Sequence, residues 1–367
     1  MAWDGRKLKD LSKEKGISLT ELAELLIVSR QTVNDWIRGQ VPKGNHLIGL
    51  SQLLEISPRF FFPSEIPGNI SVPLHRKRGV AKITGAMKQE AAHMAKQYEK
   101  LFNWAPDPGL VPVLRMDHRD RQNAIAMASK LRELSGIGSH KPMDYEHTFN
   151  LLSSLRIANI FRYFPKRLKG YVFYCKIHKH RVVFVNNDTN ILDLIFPLLH
   201  ETIHAIRDEE GNALSDPVEE DFCDAVANYT QFPEEYALLV YNTIKGRRKE
   251  VQINLLKNFS TENMHSMFGI MEQLKEINPV FDLEVGGANT NLKKQFPPIG
   301  DILFKEKDPR SYIHNLKALS PLFFEIVTRL IDNVTTRKTG EWLGLESEID
   351  AKQAIVELRK IRDGIGS

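Results

Sequence analysis

Residues His200-Glu201-Thr202-Ile203-His204 constrain this chain more than any other stretch of it. On a helix, residues four apart lie on one face, so the two imidazoles reach a common point with Glu201 beside them. That is the geometry of two metal ligands and a carboxylate placed to take a proton from water held by the ion. The flanking sequence supplies the helix. Arg181 to Asn186 reads as a buried strand, Asn187-Asp188-Thr189-Asn190 as a turn with helix N-cap candidates, and Ile191 through Arg207 as a largely apolar helix. Pro197 falls inside that run, where its missing N–H either kinks the helix or marks a late start. Asp208-Glu209-Glu210-Gly211-Asn212 ends it.

A catalytic zinc takes three protein ligands and keeps a position open for water. Residues 219–228 read as a second helix, with Glu220 and Asp224 one turn apart. The spacing lets Glu220 bind the metal while Asp224 accepts the second ring N–H of a ligand histidine and fixes its tautomer. Glu219 competes with Glu220 for the ligand position. A plainer reading also fits, because Asp216, Glu219, Glu220 and Asp221 favour the positive end of a helix dipole.

His200 to His204, followed by Glu220-x-x-Cys223-Asp224-x-x-Ala227 and a closing Pro233, resemble the ImmA/IrrE family of metallopeptidases. In that family the third ligand is a Glu opening a small-residue helix that ends in a Pro. The resemblance implies His200, His204 and Glu220 as zinc ligands, one ion per chain, with Glu201 as the catalytic base. It also implies a protein substrate, often a helix-turn-helix repressor encoded nearby.

The 367 residues suffice for two or three domains, and 42% hydrophobic with 26% charged residues is an ordinary globular composition. No apolar run approaches membrane-spanning length and the N-terminus lacks a signal-peptide pattern, so the expectation is a cytoplasmic protein with no membrane partner. Two cysteines, Cys175 and Cys223, are too few for a disulfide framework. Cys223 lies on the proposed metal helix, either as a thiol of interest or as a small buried residue.

The net charge of +4 is uneven: residues 1–88 carry fourteen Lys and Arg against eight Asp and Glu, or +6, which leaves −2 for the remainder. A basic end suits an anionic partner, or simply keeps the chain in solution. The pattern of residues 1 to about 62 bears on that choice. Arg6 to Lys15 is an amphipathic first helix; Gly16-Ile17-Ser18 opens a second with Leu22, Ala23, Leu25 and Leu26 on its inner face. A tight turn at Ile27-Val28 follows, and Ser29 caps a third helix from Arg30 to Gly39. Two short helices around such a turn form a helix-turn-helix, whose second helix enters a major groove. Val33 and Trp36 pack inward, leaving Arg30, Gln31 and Asn34 for base edges, while Arg38 and Lys43 are better placed for phosphates.

The stretch resembles the XRE/Cro-type helix-turn-helix family. Leu22-Ala23, Val28 to Val33, Trp36, Gly39, Pro42, Leu47, Leu50, Leu53-Leu54 and Ile56 stand at that family's usual places, with Ile27 where Gly is common. Double-stranded DNA is the partner this implies, and a homodimer the implied assembly. A helix bundle that has become a protein-interaction module is the alternative.

The expected organisation is multi-domain and mainly α with a small sheet. A helix-turn-helix domain spans 1–65, a basic linker 66–88, an α+β zincin-like metallopeptidase domain 89–245, and a helical C-terminal region of unknown role 246–367. The turn-rich Pro63 to Asn69 spans the boundary between the first domain and the linker, and the basic His75-Arg76-Lys77-Arg78 lies within the linker. Helices are expected at Val80 to about Phe102, running from the linker into the third segment, and at 120–135 and His147 to Ala158. A hairpin from Gly170 to Asn186 follows, with His178 and His180 solvent-exposed at its turn. Beyond Pro233, helices are expected at 234–244, 262–277, 310–335 and 347–363, with Gly286 to Asn289 and Pro297-Pro298 as loops.

The expected function is that of a DNA-binding transcriptional regulator carrying a zinc endopeptidase that cleaves a repressor or itself, in a stress-response, mobile-element or toxin-antitoxin setting. The alternative is a helix-turn-helix regulator, antitoxin-like, whose peptidase-like domain is a catalytically silent sensor. In that case Glu201→Ala leaves the biological effect intact, while Arg30→Ala with Gln31→Ala abolishes it. A protease whose N-terminal module binds protein is a third reading, and salt-dependent binding to duplex DNA would count against it.

Overall fold

The computed structural model describes Trp3 and residues 5–54, 70–72, 84–109, 116, 118–168, 170, 172–208, 217–304 and 308–364. The turn-rich and basic segments expected in the linker lie outside these residues, as does Glu209 to Asp216. The chain divides into two compact units, Met1–Gly68 and Asn69–Ser367.

In the first unit, four helices, α1 Gly5–Glu14, α2 Leu19–Leu25, α3 Arg30–Ile37 and α4 Gly44–Leu53, close over a core of Leu8, Leu22, Val33, Trp36 and Leu50. Capping explains where two of them start. Ser18 and Glu21 form a reciprocal capping box on α2, and the Ser29 side chain accepts the Thr32 N–H on α3. Leu25, expected inside, is exposed, because Leu22, Ala23 and Leu26 centre the inward face and put it on the flank. The turn between α2 and α3 runs through Ile27 at φ 55°, with its side chain 92% exposed. A β-branched residue in the left-handed region costs about 1–2 kcal/mol, so this turn is made against the preference of its own residue.

The second unit opens with β1 Ile70–Ser71, α5 Gly85–Lys96, α6 Glu99–Trp104, α7 Arg121–Ser135 and α8 Tyr145–Ser154. Strands β2 Ile157–Arg162, β3 Val172–Ile177 and β4 His180–Asn186 complete a sheet of order β1-β3-β4-β2, parallel between β2 and β4 and antiparallel elsewhere. Helices α9 Ile195–Arg207, α10 Pro217–Gln231, α11 Glu234–Ile244, α12 Lys249–Glu262, α13 Met267–Ile277 and α14 Gly286–Lys293 follow. The last five are α15 Ile299–Leu303, α16 Pro309–Leu319, α17 Pro321–Leu330, α18 Thr336–Leu343 and α19 Glu348–Arg362. The chain is thus mainly helical, with an N-terminal helix-turn-helix and one small mixed four-stranded sheet.

Several expectations need correction. The helix expected to run to Ala158 stops at Ser154; Arg156 takes φ 56°, and Ile157 onward becomes β2, whose apolar run pairs in parallel with β4. The helix expected up to Phe102 breaks at Gln97-Tyr98 into α5 and α6, its first residues lying outside the described set. Gly286 to Asn289 are helical, because glycine at the first two positions of α14 costs little where the backbone N–H groups lack intrahelical partners. Helices α12 and α18 carry no expectation, and the run from 310 to 335 divides at Ser320-Pro321. His180 is a buried strand residue against the Phe102 ring, and desolvation pushes its pKa down to about 4.

The sheet carries α9. β4 is buried from His180 to Val185, and its centre, Val182 to Val185, is continuously apolar as a strand covered on both faces requires. The C-terminal helices are tied to the same sheet by Asn159 of β2, which donates to the Leu319 carbonyl at 2.7 Å, and through Tyr98, whose ring meets Phe184 of β4 and whose hydroxyl donates to the Trp342 carbonyl at 3.2 Å.

Candidate metal centre

Helix α9 begins late. The Asn190 side chain caps a single 3-10 turn at Ile191–Asp193, and α9 proper starts at Ile195, so Pro197 falls in its first turn, where the missing N–H has no intrahelical partner to lose. The proline therefore sets the entry of the helix and leaves the turns bearing His200, Glu201 and His204 regular. All three residues are buried.

Helix α10 packs along α9 and supplies the facing carboxylates. His200 Nε2 and His204 Nε2 stand 3.1 Å apart, and Glu220 brings Oε2 to 3.5 Å from the first and Oε1 to 3.6 Å from the second. Two atoms each about 2.1 Å from a tetrahedral ion stand about 3.4 Å apart, so these separations are those of three ligands around one small cation. The donor set fits as well: two imidazole nitrogens and a carboxylate suit a borderline divalent ion. The three side chains form a buried group able to hold a metal.

Each histidine is backed from behind. Asp224 Oδ1 lies 2.8 Å from His200 Nδ1, one helical turn beyond Glu220. Burial opposes a charge on His200, but Asp224, Glu220 and Glu201 outweigh it and raise its pKa to about 9 without a metal. A buried imidazole ringed by carboxylates thus attracts a cation, whether proton or metal. His204 Nδ1 faces Cys223 Sγ at 3.7 Å, and Sγ lies 3.8 Å from Glu219 Oε1. His204, Glu219 and Cys223 form a second group of metal-ligand type, but its carboxylate is already engaged by Arg207 at 2.5 Å and Arg119 at 2.9 Å. Burial and Glu219 keep the Cys223 thiol protonated, which makes it a neutral support.

Glu201 is held from the sheet. Its Oε2 accepts the Tyr174 N–H of β3 at 2.9 Å, beyond the short pairing of β1. At the end of α9, Asp208 Oδ2 accepts the Tyr174 hydroxyl at 2.9 Å and the Asp208 carbonyl accepts from Arg181 at 3.0 Å. Three contacts therefore fix the helix on β3 and β4.

A cleft of about 840 Å³ opens at His200 and Asp224, walled by α9, α10, α13 and α14. The sequence reading left the C-terminal helices without a role; here α13 and α14 form one side of the site. Gln231, also on its wall, continues the α10 face of Glu220, Asp224 and Asn228, a helical spacing readable in advance. The Arg119–Glu219 and Tyr174–Glu201 contacts, between residues far apart in sequence, carry no local signal. His178 and His180 are not part of either metal-type group among the described residues.

In the first unit, Arg30 and Gln31 are exposed at the N-terminal end of α3, with Asn34 half-buried one turn on. Gln31 donates to Asp35 at 3.0 Å. Arg38 and Lys43 are exposed after α3 and before α4. Val33 and Trp36 are buried beneath them. Among the described residues, no helix is long and apolar enough to cross a membrane.

Comparison with curated proteins finds no match, and neither does comparison with solved structures. Residues 8–61 match the family model for the helix-turn-helix domain HTH_3, so the N-terminal segment is an XRE-type helix-turn-helix, which implies DNA as a partner.

Proposed function

We propose that this chain is a DNA-binding regulator carrying a zinc-dependent endopeptidase. The observation behind the peptidase is the convergence of His200, His204 and Glu220 within 3.1–3.6 Å, with Glu201 on the same helical turn. One zinc ion suits two nitrogens and one carboxylate, with a fourth position left for water. Zinc held by these residues would supply a lowered pKa for water and polarisation of a peptide carbonyl. Glu201 removes the proton and returns it to the leaving amine; the Tyr174 N–H steadies one carboxylate oxygen and leaves the other for this exchange. Asp224 Oδ1, 2.8 Å from His200 Nδ1, favours the tautomer protonated there, which leaves the Nε2 lone pair for a metal.

The substrate on this reading is a protein, either a helix-turn-helix repressor encoded nearby or the chain itself, cut in a stress-response, mobile-element or toxin-antitoxin setting. Arg30, Gln31 and Asn34 read base edges while Arg38 and Lys43 meet phosphates, in a homodimer. The peptidase is assigned to 89–245 and the connection to 66–88.

The test is zinc-dependent proteolysis by the purified full chain, followed by mass spectrometry on β-casein and on the chain between about residues 62 and 90. Glu201→Gln is expected to retain zinc and lose about 10²-fold or more of the cleavage rate. Equal cleavage by the variant would sink the peptidase assignment.

A further inference from the structure

The cleft beside His200 carries features that the metal centre does not use. Helix α13 turns one face to it, Phe268, Gly269, Glu272, Gln273 and Glu276, at the spacing of a single helical stripe. Two side-chain amides of its lining each leave one atom without a partner among the described residues. Gln231 Oε1 and Gln273 Nε2 have no hydrogen-bond partner among the described residues, although the side chains belong to residues only 2% and 3% exposed. A buried amide left unpaired costs about 1–3 kcal/mol, so an acceptor and a donor on two residues of the cleft wall favour a ligand that offers their complements. An extended polypeptide offers both complements, an N–H and a C=O, from its own backbone.

The charges of the cleft give that polypeptide a side chain. Among the described residues, Asp193, Asp221, Asp224, Glu272 and Glu276 line it against a single Lys or Arg, Lys293. Lys293 is taken by Asp193, Asp224 stands behind His200, and Glu276 pairs with Arg121 at 3.1 Å. Glu272 is exposed on α13 with no ion-pair partner among the described residues. Phe196 of α9 and the exposed Phe268 border the same space. An apolar, aromatic border ending in a carboxylate suits a side chain with an aliphatic stem and a cationic head.

We propose that this cleft is a subsite that takes a lysine or arginine of the polypeptide substrate, its head at Glu272, while Gln231 and Gln273 bond the adjacent backbone. This deepens the endopeptidase reading and rests on it for the meaning of substrate. A basic residue in the subsite lies next to His200, and hence next to the bond to be cut.

The experiment uses three fluorescein-labelled peptide pools identical except at one central position, held as Arg, norleucine or Glu. They are titrated by anisotropy onto the zinc-loaded full chain carrying Glu201→Gln. The Arg pool is expected to bind about tenfold tighter than the Glu pool, with norleucine between them. Adding Glu272→Lys is expected to abolish the order of preference while zinc content, the folding control, stays unchanged. Pools that bind alike, pools that do not bind, or a preference that survives Glu272→Lys would each overturn the subsite. Cleavage by the unsubstituted chain separates the two readings. Preferential binding of Arg without zinc-dependent cleavage leaves the subsite standing and removes the endopeptidase; equal cleavage of all three pools does the reverse.

Discussion

Helix α3 holds Arg30 and Gln31 in the open over a buried Val33 and Trp36, whereas α9 holds His200, Glu201 and His204 with almost no surface left. On α3 the helix phase decides which side chains reach outward, and apart from Asp35, which accepts from Gln31 on the same helix, their partners come from outside. On α9 every functional side chain is oriented by a residue of another element: Asp224 behind His200, Cys223 behind His204, the Tyr174 N–H on Glu201. Side chains that read a surface act nearly independently, while those in a buried cluster act as a unit.

Substitutions can break or sharpen this contrast. The largest effect is expected at Asp224→Asn, where removing the acceptor behind His200 weakens zinc affinity about 10–100-fold, measured by competition with a chelating dye. If affinity stays within about twofold, α9 is less dependent on its neighbours than its contacts imply. On α3, Arg30→Ala should cost about 1–3 kcal/mol in binding to the operator and relax one base position. Lys43→Ala should instead weaken binding to all sequences alike and reduce the salt slope by about one. Additivity of these two losses in the double variant would support independent action.

Acid should also separate the units. Burial lowers the pKa of His265 and of His180 to about 4, both in the second unit. Below about pH 6.5 the unfolded chain binds protons that the folded chain refuses, so stability from these groups is present above 6.5 and lost as pH falls toward 4. For His265, wholly buried and bonded to the Tyr236 hydroxyl at 2.7 Å, the loss is about 1.4 kcal/mol per pH unit. Denaturant titrations at several pH values should show that slope in the wild type and a shallower one in His265→Gln. The smallest expected change is in the first unit: Ile27→Gly relieves the left-handed turn and should stabilise that unit by about 0.5–1 kcal/mol. Destabilisation would mean that the exposed side chain has a partner.

The sequence made α3 legible because a helix-turn-helix is written in local signals: the Ser29 cap, the inward Val33 and Trp36, and the turn at Ile27. It made the two imidazoles of α9 legible for the same reason, since four-residue spacing is a helix property. The Ile203 and Thr202 positions between them needed no reading at all, being carried along by the helix. What stayed hidden came from elsewhere in the chain. The first two residues of β2 read as the tail of a helix because Leu155, Ile157 and Ala158 suit either conformation, and only pairing with β4 decides. The contribution of α13 to the cleft is a tertiary event, and nothing in residues 267–277 announces it.

The most direct measurement is the metal content of the full chain purified without chelator, by elemental analysis, beside His204→Ala. About one zinc per wild-type chain, absent from a folded His204→Ala, is the predicted result. A folded wild type that holds no metal when zinc is supplied would contradict the centre and leave a helix-turn-helix regulator with a silent second unit.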